Sequence, residues 1–156
     1  MSILKKWLLP VFRLVGGGTK TKFPYVFEDV DGLGKVFLPL VTAGVWFPET
    51  DSWLDFQFIV DTGSTATILP SYIAKQMGIN LNSLEEISMS GVEGTGVKSW
   101  LTKIKIRLGE KELSVNCFFV DNPEVPFLLG RADLMSKIYS VVFDSKKQQI
   151  IFKENN

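Results

Sequence analysis

Asp61 stands where an apolar run, Phe56-Gln57-Phe58-Ile59-Val60, gives way to a polar turn, Thr62-Gly63-Ser64. A second apolar run follows at Thr67-Ile68-Leu69-Pro70. A carboxylate held on a tight glycine-containing turn between two hydrophobic runs is suited to activating water as a base. Asp-(Ser/Thr)-Gly arises by chance in roughly one unrelated chain in fifteen of this length, so its surroundings must carry the inference. Competing chemistries are thin. The chain has no histidine, which removes His-based triads and imidazole metal sites. Its one cysteine, Cys117, shares a strand face with Leu113, Val115 and Phe119, the setting of a buried structural thiol. A single cysteine also excludes an intrachain disulfide and fits a reducing compartment.

The run from Phe56 to Pro70 resembles the active-site segment of the aspartic proteases, and it occurs once. Asp31 precedes Gly-Leu and Asp144 precedes Ser-Lys, so neither repeats the motif. Hydrolysis of this kind uses two carboxylates, one as base toward water and one as acid toward the scissile amide. With 156 residues the chain holds one domain, not two. The second carboxylate must then come from another copy, since an isologous two-fold interface brings like residues together. That is the design of the retropepsins, the retroviral-type aspartic proteases, which the sequence resembles.

Two later segments match the retropepsin pattern in order. Ile87 to Lys98 carries three glycines, Gly91, Gly94 and Gly96, at a hairpin tip, and is similar to the family's flap. Pro126-Phe127-Leu128-Leu129-Gly130-Arg131 resembles the strand that passes beneath the active-site loop, followed by a short helix in which Leu134 and Ile138 form an apolar pair. The resemblance spans roughly Val36 to Phe152. It implies an aspartic endopeptidase in which Asp61 is the catalytic carboxylate, one per subunit of a homodimer. Thr62 would lock the two loops across the axis, Gly63 would let the loop turn, and Ser64 would hydrogen-bond the outer oxygen of Asp61. Leu129 and Gly130 would support the loop, Gly130 by giving it room. Gly91, Val92, Glu93, Gly94, Thr95 and Gly96 would close over an extended peptide. No cofactor or metal is implied. The sequence departs from the viral pattern at Thr65, where an acid usually pairs with the arginine that Arg131 supplies; Asp133 is one candidate partner for it. The rival reading is a non-proteolytic peptide-binding or scaffold domain of the same fold.

The elements that must position these residues read as strands. Val36 to Val41 with Gly44 forms a first strand, in which Pro39 marks an edge or bulge. Trp46 to Ser52 reads as a connecting loop. Leu54, Phe56, Phe58 and Val60 alternate onto one face, as do Thr102, Ile104, Ile106 and Leu108 against Lys103, Lys105 and Arg107. Gly109-Glu110 turns into the Leu113 strand, and Pro70 to Gly78 reads as a short helix with a glycine stop. The pattern predicts an all-β, partly open barrel, one lobe of the acid-protease fold, with one or two short helices.

Gly16-Gly17-Gly18 separates a basic and apolar stretch from this body, so residues 1–22 are assigned to an arm and 23–156 to the protease domain. The arm is too short to span a bilayer. A packed or unstructured terminal arm, an interfacial anchor through Trp7, Leu8 and Phe12, and a processed signal or prosegment all remain open. Lysine plus arginine equals aspartate plus glutamate at 17 each, which leaves no electrostatic footprint for nucleic acid. A cytoplasmic protein with a peptide or protein substrate, and with peripheral membrane contact through residues 1–15 as an option, is the expected setting.

Overall fold

Strict alternation of apolar and polar residues places one face of a strand against a core, and residues 102–108 and 111–119 obey it. The structure, a computed structural model, describes residues 20–90 and 96–155. The readings of residues 1–19 as an arm and of Gly91, Val92, Glu93, Gly94 and Thr95 as a flap tip lie outside the described residues. In chain order the strands are β1 (Lys20–Pro24), β2 (Val26–Val30), β3 (Gly34–Leu38), β4 (Leu40–Phe47), β5 (Ser52–Val60) and β6 (Thr67–Pro70). Helix α1 (Ser71–Gln76) follows, then β7 (Glu86–Ser90), β8 (Gly96–Leu108), β9 (Lys111–Val120), β10 (Leu128–Leu129), β11 (Tyr139–Asp144) and β12 (Gln149–Glu154). No helix among the described residues is long and apolar enough to cross a membrane.

Seven strands form one sheet in the order β4-β5-β10-β6-β9-β8-β7, and β4 also pairs with β8 at Gly44–Arg107 and Val45–Ile106. That second pairing curls the sheet back on itself into the expected all-β, partly open barrel. β1, β12 and β11 make a separate antiparallel sheet, and β2 with β3 a hairpin. β1 takes in Lys20, Thr21 and Lys22, which the sequence pattern leaves with the arm; only Phe23 on this strand is buried, so the apolar signal starts late.

Pro39 divides the expected first strand. β3 ends at Leu38 and pairs with β2, whereas β4 begins at Leu40 and pairs with β5. Proline has no N–H to give a ladder, but its carbonyl accepts from Val60 at 2.8 Å. The expected loop from Trp46 to Ser52 is shorter: Trp46 and Phe47 still pair with Trp53 and Ser52, and only Pro48–Thr50, a single 3₁₀ turn, and Asp51 connect them. Cross-strand aromatic packing of Trp46 on Trp53, 5.3 Å between centroids, extends the ladder. On β5, Phe58 and Val60 face the core as the alternation requires, but Leu54 near the hairpin end is 45% exposed.

The core joins the inward faces of β4, β5, β8 and β9. Val45, Phe58, Ile106, Leu108, Val115, Cys117 and Phe119 are all buried there, with Leu69, Ile73, Leu129 and Leu134. Burying each large apolar side chain contributes about 1.5–3 kcal/mol. α1 starts directly after Pro70 and stops at Met77, with Gly78 at φ +74° supplying the left-handed exit.

Candidate active site

β5 delivers Asp61 to the middle of the large sheet. Its last residues are held on both sides: Ile59 N–H donates to the Phe127 carbonyl at 2.8 Å, Val60 N–H to Pro39, and Asp61 N–H to the Leu129 carbonyl at 3.1 Å. β10 runs parallel to β5, with Leu128 opposite Ile59 and Leu129 opposite Val60, and it also pairs with β6 at Ile68. The two-residue strand therefore lies between the strand entering the Asp61 loop and the strand leaving it.

Within the loop the chain folds back on Asp61. Ser64 N–H donates to the Asp61 carbonyl at 3.3 Å, closing a turn, and Gly63 N–H donates to Asp61 Oδ1 at 2.8 Å. A Cβ at Gly63 would sit 3.1 Å from that same oxygen, a tight approach that the carboxylate would have to accommodate by a few tenths of an ångström. Asp61 is half-buried, while Thr62 and Gly63 are exposed. The result is a carboxylate with one oxygen pinned by main chain, on a loop whose outer edge faces solvent.

The loop is gripped from behind by the segment that follows β10. Arg131 N–H donates to the Ser64 carbonyl at 2.9 Å and Ala132 N–H to the Thr65 carbonyl at 2.8 Å. A Cβ added at Gly130 would overlap the backbone of Ala66. The room that Gly130 gives is thus to the far end of the Asp61 loop, at Ala66. Ser64 makes a different contact from the one expected. Its hydroxyl donates to the Ala66 carbonyl at 2.8 Å, and the bond to Asp61 Oδ1 comes from the Gly63 amide instead. Nothing in the sequence distinguishes these two acceptors, because the choice depends on where the backbone carries Ala66.

Arg131 is exposed and makes no ion pair among the described residues; Asp133 pairs with Lys137 at 3.5 Å instead. Among the described residues no group of three or more His, Cys, Asp or Glu side chains converges to hold a metal. Cys117 is fully buried and its thiol is pushed upward by burial, so it stays protonated and packs as an apolar side chain.

β7 and β8 form the hairpin expected of a flap, paired from Glu86–Trp100 out to Ser90–Gly96. Its base is fixed by Ser99, a fully buried serine whose hydroxyl donates to the Ile87 carbonyl at 2.7 Å. Sequence reasoning missed this residue; a serine between Lys98 and Trp100 carries no pattern that marks it as buried.

The family model described as "gag-polyprotein putative aspartyl protease" matches residues 54–135, a span holding the Asp61 loop, the β7–β8 hairpin and the Leu128–Met135 segment. Among solved structures, the chain is similar to a retropepsin-like aspartic protease from Rickettsia conorii, at 19% identity and a TM-score of 0.55 over 86% of this chain and 93% of that one. It is also similar to the retroviral protease-like domain of Ddi1 from Leishmania major, at 11% identity and a TM-score of 0.54 over 78% and 96% of the two chains. At these identities the likeness shows a shared fold. No curated protein matches the chain.

Proposed function

The chain belongs to the gag-polyprotein-type, retropepsin-like aspartic protease family, and from that premise we propose that it is an endopeptidase whose catalytic pair is Asp61 from each of two subunits. The observation that carries this reading is the seat of Asp61. The residue is half-buried, its carboxylate pinned through one oxygen by the Gly63 amide, and it is held at the end of a strand hydrogen-bonded on both sides. Each chain supplies one such loop, so the pair requires a homodimer. One carboxylate takes a proton from water as the water oxygen attacks the scissile carbonyl carbon, and the protonated twin donates toward the amide. An extended peptide would lie between the loop and the β7–β8 hairpin, adding main-chain hydrogen bonds as a strand does. Thr62 and Ser64 would support the loop within the dimer, and residues 91–96 would form the closing tip. Residues 1–15 at a membrane surface are a separate proposal, checked by co-sedimentation of the chain with anionic vesicles.

Asp61→Asn is the test. The substitution is nearly isosteric but cannot cycle a proton, so peptide hydrolysis should fall by on the order of 10³-fold or more with the thermal midpoint unchanged. A variant that retains parental activity removes the mechanism. The second reading, a monomeric peptide-binding domain, draws on Thr65 and on Arg131, which makes no ion pair among the described residues. Sedimentation separates the two readings, because an obligate monomer cannot assemble the pair.

A further inference from the structure

Asp133 makes a set of hydrogen bonds that neither the loop motif nor the flap accounts for. Its Oδ2 accepts the backbone N–H of Asn116 at 2.7 Å and the Asn116 side-chain amide at 3.0 Å, and its Oδ1 lies 3.3 Å from the same amide nitrogen. The carboxyl side chain is 14% exposed, so these bonds are partly shielded from water. Lys137, four residues on, adds a longer contact at 3.5 Å from a largely exposed position. Asn116 is the residue just before β9 begins to pair with β6, at Cys117–Thr67. The carboxylate thus meets β9 beside the start of its ladder with the strand that leaves the Asp61 loop.

The other end of this contact reaches the loop itself. Arg131–Met135 forms a single π turn, closed by the Ser136 N–H donating to the Arg131 carbonyl at 3.0 Å. One-turn π segments hold an extra residue and recur at functional sites. Here the turn lets the N–H groups of Arg131 and Ala132 reach the Ser64 and Thr65 carbonyls while Asp133 turns back to β9. We infer that Asp133 is a positioning residue for Asp61: by clamping the π turn to Asn116 on β9, it fixes the two amides that hold the catalytic loop. This rests on the proposed peptidase reading, but its structural half is measurable without turnover.

The experiment compares the parent chain, Asp133→Asn and Asn116→Ala in two measurements. The first is hydrogen exchange at the Arg131 and Ala132 amides against the Phe119 amide in the core. The second is kcat and KM on a cleaved peptide. An amide at position 133 can place its oxygen where Oδ2 accepts from Asn116, but it is a neutral and weaker acceptor, and its NH₂ then faces Lys137 and the Asn116 amide on the Oδ1 side, so the clamp weakens although the shape is kept. Asp133→Asn should speed exchange at Arg131 and Ala132 selectively and lower kcat about tenfold or more, with KM within about twofold, because a misplaced catalytic group costs rate and not binding. Asn116→Ala keeps the backbone half of the clamp and should shift both readouts the same way by less; it decides the matter if Asp133→Asn does not fold. Unchanged exchange at Arg131 and Ala132, or unchanged kcat in a cleaving parent, overturns the inference. A parent that cleaves nothing while the two amides still loosen selectively supports the clamp and removes the peptidase reading instead.

Discussion

A methyl group at residue 130 would press into the backbone of Ala66, which no side-chain rotation can relieve. Gly130→Ala should therefore cost about 1–3 kcal/mol in denaturant unfolding, and hydrolysis should fall with it, since the Asp61 loop is what has to move. Tyr139 presents the opposite case. Its ring is buried against Phe152 in an edge-on contact, yet its hydroxyl has no hydrogen-bond partner among the described residues. Removing that group by Tyr139→Phe should leave stability unchanged or raise it by up to about 1 kcal/mol. Burial first, and the nearby Glu154 second, push the Tyr139 hydroxyl up to about 12 from the usual 10.0. The folded value lies above the unfolded one, so the resulting stability is complete below pH 10.0 and is lost as pH climbs through about 12. A pH series of thermal midpoints should show this alkaline limb in the parent and a shallower one in Tyr139→Phe. Asp61 is readable from sequence because a polar turn interrupts an apolar run at that residue. The serine contacts are not, because Ser64 bonds to Ala66 and Ser99 to Ile87 through local backbone geometry that the residue types do not announce.

Among the elements, those with an unbroken period of two were legible. β8 and β9 match the alternation of Ile104, Ile106 and Leu108 and of Leu113, Val115, Cys117 and Phe119 almost residue for residue. Gly109, between them, sits at φ +63°, and a Cβ there would also meet Thr21 at 2.9 Å. Gly109→Ala should lower stability by about 1–2 kcal/mol, read as a fall in thermal midpoint, while kcat stays at the parental value. Gly96 opens β8, and among the described residues a Cβ there would press on the Ser88 hydroxyl. That short side chain can rotate away, so Gly96→Val should leave the thermal midpoint nearly unchanged; any loss in kcat/KM would then report crowding of the peptide. The π turn was not legible. No residue of Arg131–Met135 marks it by type, and it shows only where Ser136 bonds back to Arg131.

For the whole molecule, a pair of like carboxylates cannot comfortably ionise together, so activity should fall at both pH extremes with an optimum on the acid side. Activity per subunit should rise with protein concentration near the dimer dissociation constant, and a flat profile in a monomeric sample would exclude a shared pair. A chelator should not inhibit and a statine-type mimic should. The short strand β10 adds a constraint in time. Leu128 and Leu129 must find Ile59, Val60 and Ile68, so the seat of Asp61 closes only through contacts between distant parts of the chain. Hairpins such as β4–β5 and β8–β9 can zip locally, whereas this closure carries the loop-entropy cost of long separations. During synthesis, a ribosome that has not yet reached residue 128 has made most of the large sheet's strands but not the segment that seats the Asp61 loop. In refolding, strand content should return before peptide cleavage does, and the lag between them measures how late the seat of Asp61 closes.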